Sequence, residues 1–321
     1  MNISPKIVFM GTAEFAATQL QTLLNADYQV VTVVTVPDKP AGRGLQMQPS
    51  AVKLCAQQHN LPILQPENLR DETFLNALHA YNADIFVVVA FRMLPDVVWQ
   101  MPPLGTFNLH ASLLPQYRGA APIQWAIING EIRTGVTTFL LDKNMDTGNI
   151  LLQKSIDILP TDNAGSLHDK LMHLAGDVIL QTINGLATHS ITPAPQQPIG
   201  ELKPAPKLFK ANTRIDPNND VEYVANFVRG LNPYPAAWLQ VQVNNAPPQM
   251  LKVYEAQAEF DASATTPIGT VLQENDSIKL RCKNGFLHIL SVQLAGKKQM
   301  KTQDFLRGVR VFALCEDRFN L

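Results

Sequence analysis

Cysteine is scarce in this chain. Three occur in 321 residues (Cys55, Cys282 and Cys315), far apart and with no C-x-x-C pair. An odd number without paired spacing argues against a disulfide framework and against a zinc site. No other cluster points to a metal, and a reducing, cytoplasmic setting fits best. Long apolar runs are lacking too. The N-terminal MNISPKIVFMG has one early lysine and then a five-residue apolar run. That is too short for a signal peptide or a membrane span. The glycine fingerprint G-x-G-x-x-G is absent, because the first apolar run ends FMGTAEF with a single glycine. A dinucleotide site is therefore poorly supported. No internal repeat or low-complexity tract is present.

What the chain does contain is an ordinary globular composition, with 46% hydrophobic and 17% charged residues. The length suggests two domains. Net charge is only −1 but is unevenly spread. Residues 1–202 hold 11 Lys and Arg against 16 Asp and Glu, a net −5; residues 203–321 hold 15 against 11, a net +4. A basic back half is compatible with a polyanionic partner, although surface lysines alone do not require one.

The front half alternates strands and helices. Continuous apolar runs at Lys6–Met10, Gln29–Val36, Asp84–Ala90 and Gly105–His110 read as buried strands. Helical spacing marks Ala13–Asn25, Ser50–Asn60, Asp71–Tyr81, Pro122–Asn129 and Asn163–Leu186. This pattern predicts an α/β fold, with a doubly wound, mostly parallel Rossmann-like sheet. The stretch ITPAPQQPIGELKPAPK follows, with prolines at 193, 195, 198, 204 and 206. It reads as a semi-rigid linker, because proline fits neither a helix interior nor a central strand. Beyond it, short β-like runs (Trp238–Val243, Leu251–Ala256, Thr270–Leu272, Ser277–Cys282, Phe286–Val292) alternate with turn residues. They predict a small antiparallel barrel. The expected division is a catalytic domain over 1–190, a linker over 191–206 and a barrel over 207–321.

One strand end is anomalous. FNLHASLLPQYRGAAP (107–122) places Asn108 and His110 two residues apart, on one face of a predicted buried strand. Parallel sheets bind ligands beyond the carboxyl ends of their strands. Buried polar groups otherwise need a partner, and a core histidine bonded to a backbone carbonyl is the alternative explanation for His110. Asp146, in NMDTGN, is a turn former by composition. A lone D-T-G in an α/β chain excludes an aspartic protease, which needs two such carboxylates. Together, an Asn, a His and an Asp suit acyl transfer to an amine. The amide and imidazolium N–H groups can stabilise a carbonyl oxygen, and the carboxylate can orient the imidazole and take part in proton transfer. The loop after His110 would form a shaped rim whose backbone could hydrogen-bond a flat heterocycle. The long connection Val36–Pro49 carries Lys39 and Arg43 between glycines, a composition that suits either phosphate contact or a mobile solvated loop.

Six stretches, in order over nearly the whole chain, resemble the folate-dependent formyltransferases. They are FMGTAEF (9–15), PDKPAGRG (37–44), FNLHASLLPQYRGAAP, MDTGNI (145–150), NPYPAAW (232–238) and GKKQMKTQDFLRG (296–308). The 37–44 loop and the GKK…DFLRG tail resemble the tRNA-directed branch. The resemblance implies 10-formyltetrahydrofolate as donor and the α-amine of methionyl initiator tRNA as acceptor. It implies a catalytic trio of Asn108, His110 and Asp146, and a folate loop of Ser112, Leu113, Leu114 and Pro115. It further implies an OB-like back barrel, tRNA contacts from Lys39, Arg43, Lys207, Lys210, Lys297 and Lys298, and a monomeric, cytoplasmic enzyme without metal. Phe91 and Arg92 stand where the family carries a small Tyr-Gly-type pair, in the stretch that lines the pterin pocket. Pro217 replaces a usual Trp. A transferase acting on a small amine, or a non-catalytic RNA-binding protein, are the competing readings.

Overall fold

The structure, a computed structural model, describes residues 5–41, 46–197, 200–244, 246–274, 276–309 and 312–314. The chain gathers into two units. One comprises residues 1–119, 134–156 and 169–204, and the other residues 120–133, 157–168 and 205–321.

In the first unit, β1 (Ile7–Gly11) leads into α1 (Glu14–Asn25) and β2 (Val30–Val34). Two short strands, β3 (Lys39–Ala41) and β4 (Gln46–Gln48), form an antiparallel ribbon. This differs from the plain loop that the glycines suggest, and Arg43 lies outside the described residues. Next come α2 (Ala51–Gln58), β5 (Ile63–Leu64), α3 (Glu72–His79), β6 (Ile85–Val89), α4 (Asp96–Trp99) and β7 (Thr106–His110). Helices α2 and α3 start where their caps dictate. Ser50 Oγ accepts from Lys53 N at 3.0 Å, and Asp71 Oδ1 from Phe74 N at 3.0 Å.

After α5 (Pro122–Ile128), two strands that the apolar pattern does not announce complete the sheet: β8 (Arg133–Leu140) and β9 (Ile150–Asp157). The strand order is β5-β2-β1-β6-β7-β8-β9. The first five run parallel, and β8 is antiparallel to β7. Alternation in β1 sends Val8 and Met10 into one core with Phe74, Leu78 and Val98. It turns the fully buried Ile7 and Phe9 to the opposite face. Each such side chain contributes about 1.5–3 kcal/mol. Helix α6 (Ala164–Ala187) is the longest in the chain, and no helix among the described residues is long and apolar enough to cross a membrane.

The second unit is a curled antiparallel half-barrel. A short 3-10 turn (Lys210–Thr213) precedes α7 (Val221–Leu231), then β10 (Ala237–Val243), β11 (Gln249–Phe260), β12 (Val271–Glu274), β13 (Ser277–Cys282), β14 (Gly285–Leu294), β15 (Met300–Lys301), α8 (Thr302–Leu306) and β16 (Phe312–Leu314). The order is β12-β13-β14-β11-β10-β16, with β15 paired to β14. The end strands β12 and β16 approach one another. Val221, Val224, Phe227, Val228 and Leu231 form one helical stripe of α7 that fills the half-barrel, and Ile128 of α5 joins the same core.

Candidate active site

Strand β7 ends at His110, and Asn108 sits on it beside Val88 of β6 and Phe139 of β8. The two side chains leave β7 on one face. His110 is buried, and its Nε2 lies 2.8 Å from the Tyr117 carbonyl. A carbonyl only accepts, so Nε2 carries a proton and donates. This is the bond a purely structural histidine would make, but it uses one nitrogen only. Among the described residues Nδ1 has no partner, and the half-buried Asn108 amide has none either.

Asp146 belongs to the loop that leaves β8. Because β8 runs antiparallel to β7, this loop begins beside the start of β7, where Leu141 N donates to Thr106 O at 2.9 Å. The β7–α5 loop folds back to meet it: Gly119 N donates to Asp146 Oδ2 at 3.0 Å. His110 and Asp146 therefore hold the two ends of one turn, Tyr117–Gly119, the first through the Tyr117 carbonyl and the second through the Gly119 amide. Asp146 and Tyr117 both adopt left-handed backbone, φ 55° and 61°. A bulky aromatic residue is rarely found there, and such strain gathers at functional sites. Asp142 shapes the same loop by accepting from Asn144 N (2.9 Å) and Thr147 Oγ1 (2.7 Å). Gly148 is required where it stands, because a Cβ would fall 1.7 Å from the Leu140 carbonyl oxygen.

The Ser112–Pro115 loop is locked from within. Ser112 Oγ donates to Gln116 O at 2.7 Å. Thr137 Oγ1 donates to Ser112 O at 2.6 Å and accepts from Leu114 N at 3.1 Å. Gln153 Nε2 donates to Leu114 O at 2.8 Å. Ser112 and Leu114 are buried, while Leu113 and Pro115 keep some surface. Leu114 thus spends its N–H and one lone pair of its carbonyl on holding the loop, and the second lone pair of that carbonyl remains an acceptor.

The formyl transferase family pattern matches residues 5–183, more than half of the chain. The chain belongs to the formyl transferase family. A second pattern, the formyl transferase C-terminal domain, matches residues 207–310 of this formyltransferase. It is 50% identical over 310 residues to the methionyl-tRNA formyltransferase of Bacteroides thetaiotaomicron, covering 95% of this chain and 96% of that one. It is 48% identical over 304 residues to the protein of that name from Flavobacterium johnsoniae, covering 95% and 96%. Its fold is that of an N-formyltransferase from Helicobacter canadensis solved with folinic acid and dTDP-3-aminofucose. The TM-score is 0.64 at 17% identity, over 90% of this chain and 99% of that one. Formyltransferases of this family use formyl-tetrahydrofolate as donor.

Other predicted residues lie at separate places in the formyltransferase. Lys39 is exposed on the ribbon. In the second unit, the Lys207 ammonium lies 5.4 Å from the Phe209 ring centroid, and the Lys210 ammonium 5.7 Å from that of Trp238. Lys297 and Lys298 are exposed in the turn from β14 to β15. Arg92 is half-buried and spans two elements. Its Nη1 and Nη2 donate to the Glu67 and Pro66 carbonyls at 2.9 and 2.7 Å, tying the segment after β6 to the loop after β5. Its Nε is buried without a partner, and burial lowers its pKa. The residues that sequence reasoning does not find are those that hold the site: Thr137, Gln153 and Gln196. All three act on backbone atoms or loop neighbours distant in sequence, and no local motif marks them.

Proposed function

We propose that this formyltransferase moves the formyl group of 10-formyltetrahydrofolate to the α-amine of methionine esterified to initiator tRNA, for translation initiation. The observation that carries the assignment of roles is the unpartnered Asn108 amide beside His110, with Asp146 fixed to the same turn. A half-buried amide and a half-used imidazole on one strand face are donors waiting for an acceptor. They fit a formyl oxygen, which needs donors placed where charge develops. The co-substrate supplies the formyl carbon and departs as tetrahydrofolate once N10 has taken a proton.

As the amine lone pair reaches the formyl carbon, Asn108 donates an amide N–H to the oxygen. His110, held through Nε2 by the Tyr117 carbonyl, acts through Nδ1. Protonated, that nitrogen donates to the same oxygen. Neutral, it accepts a proton from the attacking amine. Asp146, its Oδ2 anchored by Gly119 N, receives or relays that proton from its second oxygen. The Ser112–Pro115 loop forms the folate wall, with Leu113 and Pro115 presenting its surface and Ser112 and Leu114 keeping its shape. Lys39, Arg43, Lys207, Lys210, Lys297 and Lys298 contact tRNA phosphates. We assign the chemistry, with the tRNA contacts of Lys39 and Arg43, to residues 1–190 and the remaining tRNA contacts to residues 207–321, joined through 191–206.

The test is formyl transfer assayed with several acceptors. Asn108→Ala and His110→Ala should each lower turnover by about 10²–10³, the effect of losing one oxyanion donor, in variants that thermal unfolding shows to be folded. Methionyl-tRNA should be used far better than free methionine or small sugar amines. Near-normal turnover in both folded variants would overturn the roles of Asn108 and His110, and equal use of free methionine would overturn the acceptor.

A further inference from the structure

The proline-bearing segment after α6 does more than join two units. Ala194 pairs with Ile150 at the sheet edge, through Ile150 N to Ala194 O at 2.7 Å and Ala194 N to Ile150 O at 2.9 Å. Gln116 Nε2 donates to Glu201 O at 3.0 Å, and its Oε1 accepts from Lys203 N at 2.8 Å. Tyr117 N donates to Lys203 O at 2.7 Å. The residue whose carbonyl holds His110 is thus itself held by this segment. A mere tether requires none of these bonds.

Gln196 stands at the centre of that contact. Its Nε2 donates to the carbonyls of Asp146 and Gly148, both at 2.9 Å. Its Oε1 accepts from Arg118 Nε at 3.2 Å and Nη2 at 2.6 Å. All four hydrogen-bonding positions of the amide are used. Its orientation is unambiguous, because the reverse would set N–H against guanidinium and oxygen against two carbonyls. We propose that Gln196 is a positioning residue for formyl transfer: it fixes the peptides that follow Asp146 and Gly148, and so the direction of the Asp146 carboxylate, while locking Arg118 in the turn that receives His110. It touches backbone carbonyls and not the reacting groups.

The physical reason is strain. Left-handed residues such as Asp146 and Tyr117 persist only where their surroundings over-determine them. Gly119 N fixes the Asp146 carboxylate from one side, but the backbone at 146 and 148 needs donors of its own. Within the described residues Gln196 supplies them, and through Arg118 it reaches the turn at 117–119 as well. An amide suits this place and a carboxylate does not, because two acceptors and a guanidinium must be met at once.

The inference rests on the reading of Asp146 as catalytic, so the experiment separates the two. Turnover and KM for both substrates are measured for Gln196→Ala, Asp146→Asn and the double variant, alongside thermal unfolding. Gln196→Ala should lower kcat by about 10–100-fold, the cost of a misplaced catalytic group. Its KM values should move by no more than about threefold, and in the Asp146→Asn background it should add little further loss, as expected of residues acting as a unit. Should Gln196→Ala fail to fold, Gln196→Glu carries the test. It keeps the Arg118 contact, sets carboxylate against the two carbonyls, and should lose kcat in the same way. If Asp146→Asn keeps parental turnover, the reading of Asp146 fails and this inference falls with it. If Asp146→Asn is impaired while the Gln196 variant retains kcat, loses only KM, or adds its full loss to the double variant, the positioning role alone is overturned.

Discussion

Cys282 closes β13 with no exposed surface. Burial pushes its thiol from an ordinary 9.0 to about 11, against weaker opposing effects of the Leu287 amide and the Arg281 charge. The folded chain therefore keeps a proton that the unfolded chain loses first. Stability from this residue is whole below the ordinary thiol value and drains as pH climbs from 9.0 to about 11. Tyr28, Tyr223, Tyr254 and Cys55 are raised by burial too, so the parent alone cannot isolate the effect. Urea unfolding of parent and Cys282→Val across this range should give a steeper alkaline loss in the parent. The native thiol should also resist alkylation near neutral pH, since the thiolate is the nucleophile. Parallel stability curves would remove the buried-thiol argument. The same logic of burial made Asn108 and His110 conspicuous in the sequence, as polar residues at the end of an apolar strand. Gln196 gave no such sign. Its partners lie 48–50 residues earlier for the loop carbonyls and 78 earlier for Arg118, and only the folded chain brings them to it.

The β3–β4 ribbon makes the same point about elements. Pro40 and the glutamines at 46 and 48 give no strand alternation, and the ribbon rests on backbone pairing with an anchored base. Asp38 accepts from Lys53 Nζ at 2.6 Å and Gln65 Nε2 at 2.9 Å, Gln65 also donates to Val36 O at 2.8 Å, and Thr35 and Ser50 hydroxyls meet at 2.7 Å. The buried parallel strands were legible because both their faces are apolar. Strand β8 was not, because its buried Thr137 and Thr138 spend their hydroxyls on Ser112 and Thr182, contacts that a hydropathy pattern does not register. The bonds from Lys53 and Gln65 hold the Asp38 carboxyl below its ordinary pKa. Their support is therefore present at neutral pH and lost as pH falls through that lowered value. If the ribbon presents Lys39 to tRNA, Asp38→Asn and Lys39→Ala should each raise KM for methionyl-tRNA several-fold, the small effect expected of exposed ionic contacts. KM for the folate donor should not move. An equal rise in both KM values would place the ribbon's influence on the folate site instead.

Across the whole molecule, charge separates along the chain, with a net −5 over residues 1–202 and +4 over residues 203–321. The net charge of −1 gives no sign of a polyanionic substrate; the distribution is compatible with one. In the second unit the exposed Lys207, Lys210, Lys297 and Lys298 have no acidic partner among the described residues. Lys279 and Lys283, by contrast, pair with Glu259 and Asp220. Lysines without acidic partners keep their charge available for phosphates, and each phosphate contact releases condensed counterions. Replacing one of the four by Ala should therefore lower the slope of log affinity against log salt by about 0.7–1. Replacing Lys279 or Lys283 should change it less. At saturating tRNA, kcat should hold, because binding shared by ground and transition states moves KM alone. A salt slope unchanged after all four lysines are removed would shift the tRNA footprint away from these residues, whereas a fall in kcat at saturation would mean that they also seat the methionyl end for reaction.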